Sequence, residues 1–146
     1  MNLSNFAERL SELIFDAQLS VPEFAKRLGV GRATINRYLS GERMPSTELT
    51  IKMANYFSCT IDFLLGLEDE SYSKHFLPCP SFSERLPFLC KHFNVTKYRI
   101  HKDTKITSSL LDYWHNGKRK PNIEHIVQLA EYFSCSVDFV LGRTNL

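Results

Sequence analysis

A chain of 146 residues has room for one domain or two small ones, and its composition, 43% hydrophobic and 23% charged, is that of an ordinary globular protein. Its longest apolar runs are too short to span a membrane, and the opening MNLSNFAERL lacks the layout of a secretory leader, so the expected location is the cytoplasm. A net charge of +2 decides little, and four cysteines without a CxxC pair (Cys59, Cys79, Cys90, Cys135) suggest reduced, partly buried thiols rather than a disulfide framework.

Phe6, Leu10, Leu13, Ile14 and Ala17 recur at helical spacing and predict a first helix. Ser20 then stands three residues before Glu23, the spacing of a capping box, with Pro22 tolerated in the first turn. The short second helix carries Phe24, Ala25 and Leu28 and stops at Gly29. A third begins near Gly31, carries Ile35 and Tyr38, and ends before Gly41. Ser46, after Pro45, can cap a fourth helix with Leu49, Met53 and Phe57, and Thr60 can cap a fifth, Ile61 to Leu65. Strand-like alternation is absent, so the class is all-α.

The stretch YFSCTIDFLLG, residues 56–66, returns as YFSCSVDFVLG at 132–142. The same offset of 76 aligns Phe6 with Phe82 and Gly66 with Gly142, with no gap between. This repeat predicts two tandem five-helix domains, 6–66 and 82–142, the second opening with Phe82, Leu86, Leu89, Cys90 and Phe93. Between them LEDESYSKHFLPCPS, residues 67–81, reads as a linker of at most roughly 50 Å when extended. Charge is shared unevenly: residues 6–66 hold seven Lys/Arg and seven Asp/Glu, whereas residues 82–142 hold nine and six, a net of +3.

The segment SVPEFAKRLGVGRATINRYLSGERMPS, Ser20 to Ser46, resembles the lambda-repressor-like helix-turn-helix of the Cro/CI (xenobiotic-response-element) family, and the likeness extends over nearly all of residues 6–66. Ala25 is small where two helices cross, Gly29 suits a sharp turn, and Phe24, Leu28, Val30, Ile35 and Tyr38 fix the angle between the helices. The resemblance implies a bacterial or phage regulator of transcription that places its third helix in the major groove of double-stranded DNA. Carried over by position, the base-reading residues are Arg32, Ala33, Asn36 and Arg37: Arg suits the guanine edge, Asn the adenine edge, and Ala33 a thymine methyl. Ser20 and Arg43 become candidates for phosphate contact.

The second copy departs from this pattern. His101, Thr104 and Lys105 stand at the positions of Ala25, Leu28 and Gly29, so a helix crossing there would widen and a left-handed Lys105 would cost about 1 kcal/mol. Its reading face becomes Ser108, Ser109, Asp112 and Tyr113, Thr96 takes the place of Ser20, and Lys118, Arg119 and Lys120 form a basic run where this fold meets the DNA backbone. Asp112 would repel phosphate but could accept from cytosine N4. Either this domain grips a different DNA sequence through phosphate contacts, or it binds a protein partner.

The four histidines of the second copy (His92, His101, His115, His125) lack metal-ligand spacing, so no metal or cofactor is expected, nor is an enzyme. The expected function is a repressor reading an operator, as an intramolecular pseudo-dimer or a homodimer, with no membrane partner. The alternative is an antitoxin or regulatory adaptor. Phe63 and Phe139 fall off the buried stripe of the fifth helix and are the candidate contact between copies.

Overall fold

The computed structural model describes residues 2–145, which form ten α-helices and no strand. The chain divides into two compact units, Met1–His75 and Phe76–Leu146. No helix among the described residues is long and apolar enough to cross a membrane.

The first unit contains α1 (Leu3–Asp16), α2 (Val21–Leu28), α3 (Arg32–Leu39), α4 (Thr47–Phe57) and α5 (Ile61–Leu64). Helix α1 starts three residues ahead of Phe6, because the Asn2 side chain accepts from the Ser4 amide at 2.8 Å and caps it there. Phe6, Leu10, Phe24, Leu28, Ile35, Met53, Ile61, Leu64 and Leu65 are almost wholly buried. Each such side chain stabilises the unit by about 1.5–3 kcal/mol relative to exposure, so the core rather than helix propensity holds these short helices. Thr60 caps α5 by accepting from the Phe63 amide at 3.2 Å. Gly66 lies so close to α1 that a Cβ on it would stand 2.8 Å from that of Asn5.

The second unit contains α6 (Phe82–His92), α7 (Lys97–Asp103), α8 (Ser108–His115), α9 (Ile123–Phe133) and α10 (Val137–Leu141). Helices α8 and α9 begin 76 residues after α3 and α4 (108 against 32, 123 against 47). The core is Leu86, Leu89, Ile100, Leu111, Trp114, Ile123, Ile126, Leu129 and Val140, with Phe93 stacked on Phe133 at 4.4 Å. Pro87 sits inside α6, where the ring removes one helical hydrogen bond. After α10 the Arg143 guanidinium pairs with the Asp138 carboxylate, both side chains wholly buried, and lies 3.8 Å above the Phe76 ring.

The two units share one arginine device. In the first, Arg9 donates to the carbonyls of Phe63 and Glu68 and lies 3.9 Å above the Phe63 ring. In the second, Arg85 donates to the carbonyls of Phe139 and Val140 and lies over the rings of Phe88 and Phe139. The last carbonyls of a helix lack intrahelical donors, and each guanidinium, reaching from the unit's first helix, adds a donor to the Phe63 or Phe139 carbonyl beside the amide of the following glycine. The two rings expected off the buried stripe are thereby explained as surfaces on which the guanidiniums lie, and Phe139 is itself buried, whereas Phe63 is half-buried.

Parts of the segment expected as a linker belong to the units. The Ser71 hydroxyl accepts from the Thr60 amide at 3.0 Å, and the Leu77 amide donates to the Arg143 carbonyl at 2.8 Å.

Candidate nucleic-acid interface

In the first unit the angle between α2 and α3 is set by both ends of α2. At its start, Ser20 and Glu23 form a reciprocal capping box, each side chain accepting from the other's amide at 3.2 Å. Those bonds, the Ser20 side chain first, hold the Glu23 carboxyl below the usual range. At its end Gly29 takes φ +75°, the Val30 amide closes back on the Ala25 carbonyl at 3.0 Å, and the Lys52 ammonium reaches from α4 to the Leu28 carbonyl at 2.7 Å. Ala25 is 2% exposed, as a close crossing requires.

With the turn so held, α3 buries Ile35 and Tyr38, the latter facing Phe6 with ring centroids 6.2 Å apart. Burial pushes the Tyr38 phenol up, partly offset by the nearby charge of Arg43. The opposite face carries Arg32, Ala33, Asn36 and Arg37, all exposed. Positions i, i+1, i+4 and i+5 share one side of a helix, so their polar groups emerge together. Arg43 is exposed in the loop after α3.

The second unit places the corresponding residues differently. Thr96 caps α7, accepting from the Arg99 amide at 3.1 Å. The left-handed residue expected at Lys105 does not occur: the described non-glycine residues of positive φ are Gln18, Ser58, Asn94 and Ser134. Instead α7 ends at Asp103 and Thr104 turns extended, φ −122° and ψ 179°. The Thr104 hydroxyl donates to the Ile100 carbonyl at 2.7 Å and accepts from the Ile106 amide at 3.1 Å. The half-buried His101 completes the turn, Nδ1 lying 2.9 Å from the Ile106 carbonyl, which can only accept. Side chains thus replace the glycine, and no left-handed strain is incurred.

Helix α8 buries Leu111 and Trp114 and exposes Ser108, Ser109 and Asp112. Asp112 is bound to Lys97 of α7 at 2.9 Å. Tyr113 is half-buried beneath Arg119, whose guanidinium is 4.9 Å from the ring centroid. Lys118, Arg119 and Lys120 are exposed beyond α8. Phe63 is half-buried, and Phe139 is 6% exposed, its ring packed against Phe88, His92 and Phe93 of its own unit. His125 meets Trp114 edge-on at 5.3 Å, and no group of three or more His, Cys, Asp or Glu among the described residues could hold a metal ion.

Four contacts escape sequence reasoning: Lys52 on the turn, the Lys97–Asp112 pair, the arginine devices, and the buried Asp138–Arg143 pair. The equal spacing of Arg9 and Arg85 before Phe63 and Phe139 was the one available signal.

A short capped helix, a glycine turn and a second helix with one free polar face define a helix-turn-helix. Residues 18–64, all within the first unit, match the family model described as Helix-turn-helix. Among curated proteins, the chain is similar to the HTH-type transcriptional regulator AnsR of Bacillus subtilis (strain 168), 38% identical over 63 residues, which cover 43% of this chain and 54% of that relative. The chain thus matches about half the length of that relative. No solved structure gives a significant match.

Proposed function

We propose that the chain is a sequence-specific, double-stranded-DNA-binding transcriptional regulator, not an enzyme, whose α3 enters the major groove. The observation that carries this reading is the exposed row Arg32, Ala33, Asn36 and Arg37 on a helix whose angle is fixed by Gly29, Lys52 and the capping box. Among the described residues no hydrogen bond or ion pair engages the side chains of Arg32, Asn36 or Arg37, the one side-chain bond to this group running from the Ser40 hydroxyl to the Arg37 carbonyl, so their side-chain donors are available to base edges. Ser20, at the N-terminus of α2, and Arg43 take phosphates. The second unit is a diverged helix-turn-helix that adds a grip on the backbone through Lys118 and Lys120, so that one chain covers an asymmetric operator as a pseudo-dimer and represses by occlusion.

Selection from random duplexes by the full chain tests this reading. One enriched motif is expected, and Arg32→Ala and Arg37→Ala should each cost about 1–3 kcal/mol on that motif and relax one base position. Unchanged affinity in both variants refutes it. A second reading, a protein partner on the second unit, is favoured by Phe88 and Tyr98, 45% and 67% exposed. Capture of one defined protein that is lost on Phe88→Ala, with no DNA enriched, would decide for it.

A further inference from the structure

Lys97 and Asp112 occupy the positions that in the first unit hold Val21 and Asn36. Lys97 is the first residue of α7, the counterpart of the helix that crosses the DNA backbone in helix-turn-helix complexes, so its ammonium is a candidate for phosphate contact. The Asp112 carboxylate, one turn into α8, already lies 2.9 Å from it. Beside them Arg119 is turned onto the ring of Tyr113, and its amide donates to the Tyr113 carbonyl at 3.3 Å. Two of the four outward positions of α8 are therefore engaged within the unit, each by a cation, and one of those contacts is an ion pair. Among the described residues of the first unit no ion pair or cation–ring contact engages Arg32, Ala33, Asn36 or Arg37.

We infer that Asp112 is a specificity-determining residue that acts as an internal phosphate mimic: its carboxylate occupies Lys97 and withholds the second unit from indiscriminate binding to the DNA backbone. The inference rests on the proposed DNA-binding function and deepens it by dividing the labour. Base recognition belongs to α3, and the second unit is held to a weak grip so that the ratio of specific to non-specific binding stays high. The pair is well suited to this role because it is partly exposed, 37% for Lys97 and 63% for Asp112, and so opposes phosphate binding by competition rather than by structure.

Asp112→Asn keeps the side-chain shape and frees Lys97. If Lys97 then meets one phosphate, affinity of the full chain for random-sequence duplex rises by up to about eightfold at 0.1 M salt, and the slope of log K against log salt steepens by about 0.9. The distinguishing measurement is a double-mutant cycle. Lys97→Ala should change duplex affinity less than twofold in the parent chain and about eightfold in the Asp112→Asn chain. Generic charge repulsion by Asp112 predicts an equal effect in both, and that result overturns the inference. So does Asp112→Asn with unaltered affinity and slope, once circular dichroism shows the helices intact. Arg37→Ala on the selected motif is run alongside: if it loses binding while the cycle is flat, only the role of Asp112 falls. A chain that binds no duplex overturns both.

Discussion

Arg143→Ala isolates one buried contact and one unit. The Asp138 and Arg143 side chains are both wholly buried, and Arg143 also covers the Phe76 ring at 3.8 Å. Truncation leaves a buried carboxylate short of its countercharge, which costs about 3–5 kcal/mol. The backbone bonds of residue 143, its amide to the Asp138 carbonyl and its carbonyl from the Leu77 amide, both at 2.8 Å, survive the change. A unit of the size of Phe76–Leu146 has a total stability of roughly 4–11 kcal/mol at 0.05–0.15 kcal/mol per residue, so the variant loses a large share of it. The assay is built into the sequence. Trp114 is the single tryptophan, lies in the second unit and is 1% exposed, so its fluorescence reports that unit, whereas circular dichroism reports both. In urea, with a slope of about 1–3 kcal/mol per M, the fluorescence midpoint should fall by 1 M or more while a dichroism transition from the first unit stays in place. Asp138→Leu with Arg143→Met should cost less than Arg143→Ala alone, because a matched apolar pair avoids the stranded charge. A stability loss of less than about 1 kcal/mol, taken from the fluorescence midpoint shift and the slope, would place the pair with exposed ion pairs and refute the argument.

Gly29→Ala should destabilise the first unit by roughly 1–2 kcal/mol, because φ +75° is strained for any side chain, whereas Lys105→Gly should bring the second unit no stability; urea melts read by dichroism and by Trp114 separate the two. Pro87→Ala restores a donor inside α6 and should stabilise the second unit by about 1–3 kcal/mol, read as a higher urea midpoint of Trp114 fluorescence, and a lower midpoint would contradict this. Burial pushes the Cys79 and Cys90 thiols above the ordinary cysteine range, so at pH 8 both hold less thiolate than a free cysteine; a chromogenic disulfide reagent should label them more slowly than the urea-unfolded chain, and equal rates would contradict this.

Much of the helical layout was legible because it rests on local chemistry. Caps at Ser20, Ser46, Thr60 and Ser136 each use a side chain within three residues of its target, and the apolar spacing of Ile61, Leu64 and Leu65 survives intact in the core. The exposed face of α3 was legible for the same reason, since the residues left over from its buried side are the exposed ones. What escaped depends on partners far along the chain. Lys52 finds the Leu28 carbonyl across 24 residues, and Arg9 finds Phe63 across 54, distances over which periodicity carries no information.

The turn between α7 and α8 shows the limit of arguing from a single position. Substituting lysine for the turn glycine implies strain only if the backbone must keep its left-handed step. The second unit drops that step and closes the turn with Thr104 and His101 instead. Those are two of the three substitutions that first mark this copy as divergent, so changes that read separately as defects act together as a replacement. The same logic applies to Asp112. Alone on α8 it reads as a stray negative charge, but with Lys97 at 2.9 Å it is half of an ion pair, and its effect depends on the background in which Lys97 is tested.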